Sequence, residues 1–193
     1  MSGERQVKVL FDERTIAERT EALAREIAAA KPKDLLVVAI LKGSFMFAAD
    51  LLRALHRVGL EPHVEFFHLS SYMSGTVSSG TVKILRDIES SVRDRDVLLV
   101  DDILESGRTL AFAKDLLAAR GARRVLVCTM LEKPGKRVVE IGADFVGFVC
   151  PDVFVVGYGM DVAHSYRELP FIGRVVTSED PSDAAIPETA ARV

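Results

Sequence analysis

Short, uninterrupted apolar runs that stop abruptly at a polar turn and lead into an amphipathic helix constrain this chain more than any other feature. Residues 35–41, Leu-Leu-Val-Val-Ala-Ile-Leu, offer no polar face, so a strand made from them must be covered on both sides. Lys42-Gly43-Ser44 ends the run, and Phe45, Ala48, Ala49, Leu52 and Leu55 then recur at helical spacing. The unit repeats. Residues 97–100 are a second buried run, a polar turn occupies 101–108, and a helix from about 109 to 119 stops at Gly121. Residues 125–130 supply a third run. This alternation predicts an α/β fold with a mainly parallel twisted sheet flanked by helices, and it places a ligand site outside the carboxyl ends of the strands.

Other segments fill in around that frame. Asp12 is placed to cap a helix reaching about residue 30, whose Ile16, Thr20, Leu23 and Ile27 share one face before Pro32 stops it. Residues 70–81 are small, polar and contain two glycines, which predicts a mobile loop between strands at 64–69 and 82–85. Shorter strands are expected at 145–149, 153–158 and 171–176. With 193 residues, 49% of them hydrophobic, and no dividing linker, the expectation is a single domain over residues 1–177 and a polar, flexible tail over 178–193.

Charge and cysteine usage exclude several classes. The 25 basic and 28 acidic residues leave a net charge of −3, so nothing general draws the chain to nucleic acid or to an anionic membrane. The longest apolar run is too short to span a bilayer and the N-terminus does not resemble a leader, which predicts a cytoplasmic protein. Cys128 and Cys150 have neither disulfide-framework nor metal-ligand spacing and read as buried, reduced thiols.

The chemistry concentrates at residues 97–109, Val-Leu-Leu-Val-Asp-Asp-Ile-Leu-Glu-Ser-Gly-Arg-Thr. Two adjacent carboxylates after a buried strand, Asp101 and Asp102, can accept hydrogen bonds from vicinal hydroxyls or hold a hard cation. Ser106, Gly107, Arg108 and Thr109 open a helix, where unpaired N–H groups and the helix dipole favour a phosphate. Each feature alone is ordinary: an acidic pair is often a turn, and Ser or Thr is often a cap. Together they describe a sugar-phosphate site. The absence of a Gly-x-x-x-x-Gly-Lys-Ser/Thr loop removes the phosphate cradle that a nucleotide hydrolase of that type requires, and a signalling receiver, which would leave nearly the first half of the chain unexplained, stays a distant third reading.

Residues 97–109 resemble the phosphoribosyl pyrophosphate motif of the type I phosphoribosyltransferases. Leu41-Lys42-Gly43-Ser44, Ser71-Tyr72, Leu131-Glu132-Lys133 and the run Phe-Val-Val-Gly-Tyr-Gly-Met-Asp at 154–161, followed by Arg167, are similar in order to the landmarks of the bacterial hypoxanthine (hypoxanthine-guanine) branch. The resemblance covers roughly residues 7–177 and implies the type I phosphoribosyltransferase fold, with a mobile lid loop and a small C-terminal hood from about 133 to 177. It also implies transfer of a phosphoribosyl group to N9 of hypoxanthine, and of guanine, in purine salvage, yielding IMP or GMP and pyrophosphate.

The site assignments follow from that resemblance. Asp101 and Asp102 would hold the ribose hydroxyls with Mg2+ nearby, and Ser106, Gly107, Arg108 and Thr109 would enclose the 5'-phosphate. Lys42 and Gly43 would form the pyrophosphate loop, which in this family often contains a non-proline cis peptide; whether Lys42-Gly43 is that peptide is open. Asp161 would meet a second Mg2+, and Arg167 would pair with the leaving group. Lys133 would donate to the six-position oxygen of the purine, Phe154 would stack on its ring and the Val155 backbone would meet the opposite edge. Glu105 stands where the family more often has Asp, near N7, with the same carboxylate on a side chain one methylene longer. Ser71 and Tyr72 would belong to the closing lid. The partners implied are small molecules, phosphoribosyl pyrophosphate and a 6-oxopurine, within a homo-oligomer that is a dimer or a tetramer. Two alternatives stay open: the same reaction with xanthine or guanine preferred, and a non-catalytic phosphoribosyl pyrophosphate sensor that binds RNA, which the mildly acidic charge disfavours.

Overall fold

A computed structural model describes residues 6–71 and 82–176. The segment 72–81, expected as a lid and including Tyr72, the tail 178–193 and the side chain of Ser71 lie outside the described residues.

In chain order the elements are β1 (Gln6–Phe11), α1 (Glu13–Ala29), β2 (Leu36–Leu41), α2 (Phe45–Arg57), β3 (His63–Ser71), β4 (Val82–Arg86), β5 (Asp96–Leu104), α3 (Arg108–Ala119), β6 (Arg124–Glu132), β7 (Phe145–Val149), β8 (Val155–Val156) and β9 (Ile172–Val176). Six strands form one sheet in the order β4-β3-β2-β5-β6-β7. All its neighbours are parallel except β3 and β4.

The apolar runs are central because neither face can meet water. Val37, Ala39, Leu98 and Val100 face α1 and α2, meeting Leu23, Ile27, Phe47 and Leu51. Leu36, Val38, Val97 and Leu99 point the other way onto Leu110, Ala113 and Leu117 of α3. Each fully buried Leu, Val or Phe side chain stabilises the fold by roughly 1.5–3 kcal/mol relative to exposure. Asp12 does cap α1: its Oδ1 accepts from Thr15 N at 2.7 Å. That bond holds its carboxyl below the usual carboxylate range.

Two expectations change. The second apolar run continues past Val100 as β5 through Leu104, because its partner β6 is apolar to Leu131 and the ladder pairs Asp101 with Thr129 and Leu104 with Glu132. The acidic pair is therefore strand, not turn. The strand expected over 153–158 contracts to Val155–Val156, because Gly157 and Gly159 adopt φ of +92° and +98° and turn the chain. A strand the sequence reading did not identify, β1, pairs antiparallel with β9, which also pairs with β8. The chain's first described residues thus complete the small sheet beside the C-terminal segment.

Strand order reverses between β2 and β5: the chain leaves β2 toward β3 on one side and returns with β5 on the other. In an open α/β sheet such a switch point opens a crevice beyond the strand ends. Here it lies between the Leu41-Lys42-Gly43 turn and the end of β5.

Cys128 and Cys150 are buried and unpaired. Burial pushes the Cys128 thiol far up and that of Cys150 to about 11. The native protein should therefore resist thiol reagents near neutral pH, whereas the unfolded chain titrates both of its two cysteines. Rapid native-state labelling would contradict this burial. Because folding favours the protonated thiols, their contribution to stability declines as pH rises above the ordinary thiol value of about 8.5.

Candidate active site

A cavity of about 300 Å³ fills the switch-point crevice, and Gly43, Asp101, Asp102, Glu105, Ser106 and Thr109 are among its lining residues. Gly107 lines it too. Residues from two separate turns therefore face one space.

Asp101 is buried and Asp102 half-buried, and the pair is self-organised. Asp101 Oδ1 accepts from Asp102 N at 3.0 Å, and Asp102 Oδ1 accepts from Ile103 N at 2.9 Å. Burial, reinforced by the neighbouring Asp102 charge, raises the Asp101 carboxyl well above its ordinary value. Burial also raises Asp102, although a hydrogen bond from Asp101 and the positive charge of Arg167 oppose it. Two carboxyls held this way favour a positive charge or hydroxyl donors between them.

Gly43 is required by contact rather than by its backbone angles. A Cβ there would stand 1.7 Å from Asp102 Oδ2, so the turn after β2 lies directly against the carboxylate. The peptide that is cis is Leu41-Lys42, one residue before the Lys42-Gly43 bond. Lys42 itself is exposed beside the cavity.

At the phosphate end, Gly107 takes φ +82° and is the N-cap of α3, without a side-chain cap. Glycine has no side chain to cap the first turn of α3, which leaves room for an anion at its N–H groups. Ser106 Oγ accepts only a long bond, 3.4 Å, from Arg108 N. Arg108 opens the helix but does not line the cavity, while Thr109 does.

Lys133 is 6% exposed, an unusual burial for lysine, and its Nζ stands 3.7 Å from Glu105 Oε1. Phe154 is 57% exposed, although its carbonyl is fixed by Val175 N at 3.1 Å, so the ring is presented to the outside. Val155 is buried and paired with Arg174. Asp161 pairs with Arg167 at 2.6 Å and accepts from His164 N at 2.8 Å. Arg167 Nη1 also donates to Gly159 O at 2.6 Å. A Cβ at Gly159 would lie 2.2 Å from Gly43 O, so the C-terminal segment rests on the turn after β2. None of Lys133, Phe154, Val155, Asp161 and Arg167 lines the cavity; Lys133 stands beside Glu105, which does, and the charge of Arg167 reaches Asp102.

The sequence reading missed two anchors. Tyr158 Oη donates to Asp50 Oδ2 at 2.8 Å, tying the C-terminal segment to α2. Arg137, whose loop position carries no sequence signal, is bonded to the backbone of Leu104 and Glu105.

A switch-point cavity with two adjacent carboxylates, one buried and one half-buried, at one end and a glycine-opened helix start at the other suits a phosphorylated ribose. The chain belongs to the phosphoribosyl transferase domain family, whose model matches residues 6–163. It is 41% identical over 177 residues to the hypoxanthine phosphoribosyltransferase of Escherichia coli, covering 90% of this chain and 98% of that one. It is 48% identical over 167 residues to the bifunctional protein TilS/HprT of Listeria monocytogenes, covering 86% of this chain but spanning only 25% of that longer relative. A crystal structure of a hypoxanthine-guanine phosphoribosyltransferase from Bacillus anthracis superposes with a TM-score of 0.82 at 40% identity, covering 89% of this chain and 100% of that one.

Proposed function

We propose that the chain transfers the phosphoribosyl group of phosphoribosyl pyrophosphate to N9 of hypoxanthine, and of guanine, in purine salvage. The observation that carries this reading is the buried Lys133 with Nζ 3.7 Å from Glu105 Oε1. The six-position oxygen and N7 are adjacent acceptors on one purine edge. A lysine and a carboxyl side by side match them: Lys133 donates to the oxygen, and Glu105 exchanges a proton with N7. Adenine would set an amino donor against Lys133, which has no acceptor to offer.

In the reaction the bond between the anomeric carbon and pyrophosphate breaks as N9 bonds to that carbon, and the base's proton leaves through Glu105. Asp101 and Asp102 accept from the ribose hydroxyls, and Ser106, Gly107, Arg108 and Thr109 enclose the 5'-phosphate. Lys42 and the Gly43 backbone take the pyrophosphate, which Arg167 pairs as it departs. The exposed Phe154 ring stacks on the base and the Val155 backbone meets its far edge. Ser71, Tyr72 and the loop beyond close over the substrates and exclude water.

The donor set suits magnesium. One buried and one half-buried carboxyl, Asp101 and Asp102, with no third His, Cys, Asp or Glu grouped with them among the described residues suit a cation that keeps most of its oxygens from water and substrate. Asp161 is the candidate contact to a second ion. When bound, magnesium supplies positive charge to the diphosphate and its leaving oxygen. A homo-oligomer and a cytoplasmic setting belong to the same reading. Val64 and Phe66, 38% and 42% exposed on β3, support the first as apolar surface a second copy can cover. Among the described residues no helix is long and apolar enough to cross a membrane.

Pyrophosphate release with phosphoribosyl pyrophosphate and magnesium, run in parallel on hypoxanthine, guanine, xanthine, adenine and uracil, tests the proposal. Release with hypoxanthine and guanine, abolished by chelator and restored by added magnesium, is expected. Adenine as the preferred base, or silence with all five, would refute it.

A further inference from the structure

We propose that Arg137 is a positioning residue for the transfer reaction, holding the turn that carries Glu105 at its working distance from Lys133. The inference rests on the role given to Glu105 above.

At the end of β5 the backbone leaves the sheet and its carbonyls lose their ladder partners. Leu104 O still accepts from Lys133 N at 3.0 Å, and Ser106 O accepts from Val138 N at 3.0 Å. Between them, Glu105 O accepts from Arg137 Nη1 at 2.6 Å, and the same nitrogen donates to Leu104 O at 2.8 Å. Arg137 Nε donates to Ile141 O at 3.2 Å, and Nη2 pairs with the Glu132 carboxylate. One planar guanidinium thus joins the ends of β5 and β6 and the loop between β6 and β7.

Those are the segments that carry Glu105 and Lys133. The same loop braces the phosphate turn, since a Cβ on Gly107 would meet Ile141 Cγ2 at 2.6 Å. Charge-assisted bonds are about twice as strong as neutral ones, and a rigid fork fixes direction where an ammonium would supply only a point charge. All three guanidinium nitrogens of Arg137 are engaged by Leu104 O, Glu105 O, Ile141 O and the Glu132 carboxylate, so it acts through the turn and not on a substrate.

Steady-state kinetics of Arg137→Ala, Arg137→Lys and Glu105→Gln, singly and combined, test this with whichever base the parent enzyme turns over best. A misplacement of about 1 Å costs on the order of 10²-fold, so Arg137→Ala is expected to lower kcat by about 10-fold to 100-fold. Both KM values should stay within about threefold of the parent, the pattern of a contact that matters in the transition state. Added guanidinium should restore part of the loss, while ammonium salts of equal ionic strength should not. In the Glu105→Gln background, removing Arg137 should cost less than about threefold more, because the group it positions is already disabled.

A parental kcat in Arg137→Ala overturns the proposal, as does full multiplication of the two losses in the double variant. So does a parallel change in kcat and KM together with a lowered Tm. If the alanine variant does not fold, Arg137→Lys decides: a tenfold or larger kcat loss at unchanged KM supports positioning, and a parental kcat overturns it. Parental activity in Glu105→Gln alone would instead refute the role of Glu105.

Discussion

Glu105→Gln is expected to lower kcat by about 10²-fold to 10⁴-fold, the range removed when a general acid–base is lost, with KM for phosphoribosyl pyrophosphate nearly unchanged. The amide keeps the size and hydrogen-bonding reach of the carboxylate but cannot take up and return the N7 proton. The backbone of residue 105 should stay in place, because Arg137 Nη1 holds its carbonyl at 2.6 Å whatever the side chain. Glu105 Oε1 is 3.7 Å from Lys133 Nζ, so the substitution also weakens the partner of a nearly buried ammonium. Loss of that charge should appear as a modest rise in KM for the base, well below the change in kcat. Steady-state kinetics with varied purine at saturating phosphoribosyl pyrophosphate separate the two. Equal losses in kcat and 1/KM would make Glu105 a binding group and not the proton carrier. Its longer side chain, compared with the more usual Asp, is compatible with the role because Lys133 stands within reach of its oxygens.

Gly43→Ala is expected to be nearly as damaging, for a steric reason. The added methyl would fall 1.7 Å from Asp102 Oδ2 and 2.5 Å from its Cγ, and neither neighbour can yield freely. Asp102 is held by Ile103 N, and the far side of the Gly43 turn is closed by Gly159, whose own Cβ position lies 2.2 Å from Gly43 O. Either the carboxylate swings away from its place on the cavity wall or the turn is forced into the C-terminal segment. Overpacking of this kind costs about 1–3 kcal/mol, which in a chain of this size lowers Tm by roughly 2–12 °C. A carboxylate displaced by an ångström or more should lower kcat/KM for phosphoribosyl pyrophosphate by about 10²-fold. Thermal melts together with kinetics check both parts. Activity within threefold of the parent would show that the Gly43–Asp102 contact is not needed for the reaction.

Both predictions depend on distances between segments far apart in the chain. The buried strands, their order along the chain and the polar turns at their carboxyl ends were legible because an uninterrupted apolar run has few ways to avoid water. The resemblance of residues 97–109 and the later landmarks to a family extended that reading to the site. Asp101, Asp102, Ser106, Gly107 and Thr109 do face one cavity. Three features were not legible. β1 pairs with a strand more than 160 residues away, from Gln6 to Val176, and no local pattern records such a partner. The acidic pair lies within β5 because β6 extends the ladder, a consequence of pairing and not of Asp propensity. Nothing in the sequence marks Arg137, yet it binds the backbone carbonyls of Leu104 and Glu105 where β5 ends beside β6.

The sequence by itself therefore determined the layer architecture, the position of the crevice along the chain and the chemical types of residue around it, since burial and local turn chemistry are written in short stretches of residues. Tertiary structure alone decided that Gly43 lies against Asp102, that Lys133 is buried beside Glu105 and that Arg137 joins the two strand ends. Each of these is a contact between segments far apart in the chain, and its distance is set by how the strands and helices pack together, which no local run of residues encodes.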